Sequence, residues 1–240
     1  NNTELKENIN KFINSISQII SSGGSVLIPV FALGKSQEIL YIIHRAMTEN
    51  RLKKTDIFTG ELHRRISSVY DIFNYNVPRI EKGFSFKDIE QKYFTKPLND
   101  NDFLFTPGIA LAPSGMVDKG SISYELALRM AGNKNHGLYF VGYTDPDSPG
   151  YLLKNSGNGE TIISNKFPNE LKVECKIESF KFSAHATSDD LLKIILQLNP
   201  GVVIPVHGSI DGQLILRERL KELGFRGDYI IPADGMLIEL

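Results

Sequence analysis

An α/β fold, with a parallel-rich sheet flanked by helices, is what this sequence predicts, and three observations predict it. Short runs rich in β-branched residues alternate with stretches of 3.6-residue apolar period. Gly-containing turns separate the two kinds of segment. Two histidines, His185 and His207, each stand where an extended run gives way to a helical one.

Taken in order, Leu5, Ile9, Phe12, Ile13, Ile16, Ile19 and Ile20 share one face of a helix that Gly23-Gly24 stops. Ser25 to Pro29 then reads as a strand, Lys35 to Thr48 as a helix, Asp56 to Thr59 as a strand and Leu62 to Phe73 as a helix. That alternation is the signature of βαβ units. From Pro78 to Asp102 the chain is charged and irregular, and Phe84, Phe86, Tyr93 and Phe94 there read either as core anchors or as base-stacking groups. Strands follow at Phe103 to Thr106 and Ile109 to Pro113, a helix at Ser123 to Met130 and a strand at Gly137 to Val141. Beyond Gly150, Tyr151 to Leu153, Glu160 to Ser164 and Leu171 to Phe180 read as antiparallel strands, since Gly and Asn turns leave no room for helices between them. Thr187 is the expected N-cap of the next helix, with Asp190 in the place of the usual capping-box Glu. Val202 to Val206 reads as a buried parallel-type strand, and Gly208-Ser209 recaps the chain before the helical run Leu214, Leu216, Leu220 and Leu223. Histidines at such junctions face the crevice outside the carboxyl ends of strands, where ligands of open α/β sheets bind.

The 240 residues suffice for one large or two modest domains, and a 41% hydrophobic content is ordinary for a globular protein. No segment approaches a membrane span and the polar start is no signal peptide, so a cytoplasmic protein without membrane contact is expected. A lone Cys175 excludes an internal disulfide and a cysteine-based zinc site. The formal net charge of -1 gives no global footprint for a polyanion. Arg64-Arg65, Lys35, Lys92, Lys96 and Lys119 line a groove or are simply solvated.

Phe182-Ser183-Ala184-His185 and Val206-His207-Gly208 resemble the last two motifs of the β-CASP branch of the metallo-β-lactamase superfamily, nucleases with a two-zinc site. Upstream, Ile28-Pro29-Val30-Phe31-Ala32-Leu33-Gly34-Lys35-Ser36-Gln37-Glu38, Ser114-Gly115-Met116, Phe140-Val141-Gly142-Tyr143 and Asp145 to Tyr151 resemble further family segments, in family order. The resemblance implies a β-CASP domain over residues 1–178 and the C-terminal part of a metallo-β-lactamase αββα domain over residues 179–240. The family's His-x-His-x-Asp-His signature is absent, so the chain is expected to be a fragment whose N-terminal catalytic half is a missing partner.

By that resemblance His207 is a zinc ligand, and His185 protonates the leaving oxygen or hydrogen-bonds a phosphoryl oxygen. A histidine at the position of His207 marks RNA-processing members, which makes RNA the expected substrate and partner. Ser183 orients the site, contacts phosphate or satisfies local backbone. Ser114 and Gly115 form a turn whose N–H groups can approach an anion, and Gly34-Lys35-Ser36 opens a helix that can do the same without the spacing of a nucleotide P-loop. Two Zn2+ ions are implied in the full-length enzyme and none need bind the fragment, which is expected to be inactive alone. A non-catalytic RNA-binding or scaffold member of the superfamily is the rival reading, and a homodimer is compatible with either.

Overall fold

The computed structural model describes residues 2–76, 81–94, 107–182 and 186–238. The expected strand Phe103 to Thr106 therefore lies outside the described residues. By internal contacts the chain forms two compact units, Asn1–Phe182 and Ser183–Leu240.

The first unit is built on one sheet. Its elements are α1 (Asn2–Ser21), β1 (Val26–Pro29), α2 (Lys35–Thr48), β2 (Asp56–Thr59), α3 (Glu61–Ile72), a 3-10 turn (Phe86–Asp88), β3 (Lys92–Tyr93), β4 (Gly108–Ala112), α4 (Ile122–Met130), β5 (Gly137–Phe140), α5 (Pro149–Lys154), β6 (Thr161–Ile162), β7 (Leu171–Lys172) and β8 (Lys176–Ser179). The six-stranded sheet has the order β3-β2-β4-β1-β5-β8, and every pairing in it is parallel. Side chains of β1 alternate between two cores, as the period of a strand requires. Val26 and Ile28 join Phe12, Ile16, Ile39 and Ile43 from α1 and α2 on one face. Leu27 joins Leu126, Ala127 and Met130 from α4 on the other. Burial on both faces explains why these strands read as continuous apolar runs.

Two expectations for the first unit need correction. Tyr151 to Leu153 is not a strand but the middle of α5: Ser148 caps it by accepting from the Tyr151 amide at 3.1 Å, and Pro149 occupies the first turn, where its missing N–H costs nothing. The stretch Leu171 to Phe180 is likewise not one antiparallel strand. β7 pairs antiparallel with β6, and β8 then returns to extend the main sheet parallel to β5, from Gly137↔Lys176 to Phe140↔Ser179. Cys175 is buried in the connection between them. Phe86 and Phe94 are buried and Phe84 packs edge-on against Phe86 and Tyr41, so these aromatics are core anchors.

The second unit contains α6 (Ser188–Leu198), β9 (Val202–Val203), α7 (Ile210–Glu222) and β10 (Asp228–Tyr229). β9 and β10 pair in parallel, from Asp228↔Val202 to Tyr229↔Val203. Thr187 and Asp190 form the expected reciprocal cap of α6. The strand expected over Val202 to Val206 is only two residues long and half-buried rather than buried, because Ile204 onward turns toward α7. No helix among the described residues is long and apolar enough to cross a membrane.

Candidate functional site

Of the residues nominated from the sequence, Lys35, Ser114 and Gly115 lie in the first unit and His207 in the second. Ser183 and His185 lie outside the described residues.

β1 and β4 are neighbours, yet the chain leaves them in opposite directions. From β1 it passes through α2 toward β2, and from β4 through α4 toward β5. To reach β2 the chain must pass β4, and to reach β5 it must pass β1, so the two connections cross on opposite faces of the sheet just beyond its carboxyl edge. Lys35 follows β1 and Ser114-Gly115 follows β4, so both nominated loops stand side by side at the carboxyl edge of the sheet. Gly115 is fitted closely: a Cβ there would stand 3.1 Å from the Phe31 ring and 3.2 Å from the Phe31 amide nitrogen, so a side chain would push the two loops apart. The Ser114 hydroxyl donates to Asp118 at 2.6 Å and accepts from the Met116 amide at 3.0 Å. The Met116 carbonyl in turn accepts from the Gly150 amide at 2.9 Å, tying this loop to α5.

Lys35 is anchored rather than free. Its side chain is 11% exposed and pairs with Glu38. The Lys35 amide donates to the Leu33 carbonyl at 2.9 Å and the Ser36 amide to the Phe31 carbonyl at 3.2 Å. These two amides are satisfied within the chain, so they do not form the anion cradle expected of Gly34-Lys35-Ser36. What the edge does present is Phe31, 45% exposed, beside Gly115, and Tyr143, 66% exposed, just beyond β5. Neither was legible as a site residue, since an apolar run does not say which member is left at the surface.

His207 lies between β9 and α7 with φ 68°. Its left-handed backbone and that of Gly208 turn the chain sharply, and Ser209 then caps α7 by accepting from the Gly212 amide at 3.2 Å. The Gln213 side-chain amide braces the turn by donating to the carbonyls of His207 at 3.3 Å and Gly208 at 3.4 Å. The His207 ring is exposed and makes no hydrogen bond among the described residues. An exposed imidazole at such a turn can serve as one metal ligand, but one donor is too few for zinc. Among the described residues no group of three His, Cys, Asp or Glu side chains could hold an ion.

Burial singles out another histidine. His63, in the first turn of α3, is 1% exposed and neither ring nitrogen completes a hydrogen bond. Burial lowers its pKa to about 4, with the Leu111 backbone a weaker opposing influence. Burial also pushes the Cys175 thiol up to about 11, which leaves it an inert packing group.

The Beta-Casp domain family matches residues 36–153, and the family described as a Zn-dependent metallo-hydrolase RNA specificity domain matches residues 170–232. The chain is 27% identical over 231 residues to Integrator complex subunit 11 of Gallus gallus, covering 93% of this chain and 37% of that protein. It is 32% identical over 229 residues to probable RNase MJ4 of Methanocaldococcus jannaschii, covering 95% and 51%. It is 28% identical over 258 residues to RNase aCSPSF2 of Saccharolobus solfataricus, covering 100% and 46%. The chain thus spans between about a third and a half of the length of these relatives.

Proposed function

Because the chain belongs to the β-CASP branch of the metallo-β-lactamase superfamily, we propose that the whole protein is a zinc-dependent ribonuclease hydrolysing phosphodiester bonds in RNA. Residues 1–178 would be its β-CASP domain and residues 179–240 the returning part of its metallo-β-lactamase domain. The observation that carries the reading is His207, an exposed imidazole at a braced strand-to-helix turn inside the segment matched by the RNA specificity domain.

In this reading His207 is one ligand of a two-zinc site and His185 protonates the leaving oxygen. Ser183 orients the reacting phosphate, while Ser114 and Gly115 contribute to binding the RNA. When bound, zinc would supply an activated water and neutralise charge on the phosphate. The other ligands belong to a catalytic half outside this chain. The second unit supports that partner, because Leu191, Ile194 and Leu198 of α6 and Ile210 and Ile215 of α7 are exposed. Only Leu192 and Leu220 of its described apolar residues are fully buried, too little core for an independent fold and an apolar face that calls for a cover. A cytoplasmic location belongs to the same reading.

Incubating the whole protein and the 240-residue chain separately with end-labelled single-stranded RNA, with and without EDTA, tests it. We expect chelator-sensitive cleavage by the whole protein and none by the chain alone. Binding without cleavage by the zinc-loaded whole protein would make it a scaffold, and chelator-resistant cleavage by the chain would overturn the mechanism.

A further inference from the structure

β8 is the edge strand of the main sheet, and α1 lies beside it. Between them runs a groove of about 550 Å³, lined among others by Asn8, Lys11, Asn14, Lys176, Ser179 and Lys181. The charges do not cancel. Lys176 is engaged with Glu178 at 3.3 Å and with the Ser15 hydroxyl at 2.9 Å, and Ser15 also holds Glu178. Lys11 and Lys181 are exposed and have no ion-pair partner among the described residues. The groove is left with two uncompensated positive charges in a wall of hydrogen-bonding side chains.

The backbone adds a donor. The amides of Lys176 and Phe180 point toward β5, donating to His136 at 2.9 Å and Phe140 at 2.8 Å. By the alternation of a strand, the Ser179 amide points outward into the groove. From Lys176 to Lys181 the wall is roughly 16 Å long at about 3.3 Å per residue. That matches on the order of five stacked nucleotides at about 3.4 Å each.

We propose that this groove binds the phosphodiester backbone of single-stranded RNA, without reading its sequence. The inference rests on the ribonuclease reading for the identity of the polyanion. Lysines and amide donors recognise phosphate oxygens, and among the described residues no exposed aromatic lines the groove to stack a base. A peptide adding a strand to β8 is less favoured, because the strand has only four residues and is flanked by lysines that discourage edge pairing.

The test uses the whole protein, an 8-mer and a 30-mer of oligouridylate, and the double variants Lys11→Ala/Lys181→Ala and Lys11→Arg/Lys181→Arg. Both lysines are exposed, so the variants should fold normally. Losing two phosphate contacts should weaken binding of the 30-mer roughly tenfold at 0.15 M salt and flatten its log–log salt dependence by about 1.4. The arginine pair should restore both, and cleavage of the saturating 8-mer should be unchanged. Unaltered affinity and salt dependence in the alanine pair would overturn the proposal and leave the lysines as guards of a sheet edge. An acidic peptide that binds through these lysines while RNA affinity stays constant would overturn it in favour of a protein partner. Failure of the wild-type protein to cleave any RNA, with the lysine effect on binding intact, would refute the nuclease reading and leave the groove standing.

Discussion

At the scale of single residues, His63 has the clearest measurable consequence. In the native site it takes up a proton only near pH 4, whereas in the unfolded chain it does so near 6.5. Between those values the unfolded state binds more protons, so stability falls as pH drops through the window. The loss should reach on the order of 3 kcal/mol at its lower end. His63→Leu should remove this dependence and leave the protein about as stable at pH 7, since it deletes a buried polar group whose ring nitrogens complete no well-formed hydrogen bond. Urea unfolding of the first unit at pH 7, 6 and 5, with parallel slopes for variant and wild type, would contradict the assignment. Nothing in the sequence distinguishes His63 from His44 or His136, because burial of one helix position depends on what packs over it. His207 is different. Its strand-to-helix position was legible from Val202 to Ser209, although its left-handed backbone and the brace from Gln213 were not, being products of the turn itself.

At the scale of elements, strong periodicity and cap chemistry read correctly where they agreed. α1, α2 and α3 follow their apolar patterns, and Thr187 with Asp190 caps α6 as expected. That cap predicts its own test: Thr187→Ala should cost about 1 kcal/mol of helix stability, whereas Thr187→Ser should cost little. Equal effects of the two substitutions on thermal unfolding would mean the hydroxyl is not capping. α5 does not show in the sequence because Tyr151-Leu152-Leu153 is too short for its period to speak, while Ser148-Pro149, a helix-start signal, resembles a turn. The pairing of β8 does not show for another reason. Local sequence reports that a segment is extended, but whether it pairs with its predecessor or returns to a distant strand is decided by the whole sheet.

At the scale of the whole molecule, a first unit with a two-faced core is followed along the chain by a second unit that is poor in buried apolar side chains. Among the described residues the first unit has a six-stranded sheet whose central strands bury alternating residues on both faces. The second carries His207 and exposes apolar residues of α6 and α7. The central claim is that His207 holds metal while His185 moves a proton, and one measurement separates those roles: zinc content and single-turnover cleavage of labelled RNA by the whole protein carrying His207→Ala or His185→Ala. Loss of His207 should lower bound zinc and activity together, whereas loss of His185 should leave zinc in place and slow only the chemical step, by roughly 10²–10⁴-fold. Full zinc occupancy with undiminished cleavage in both variants would contradict the account.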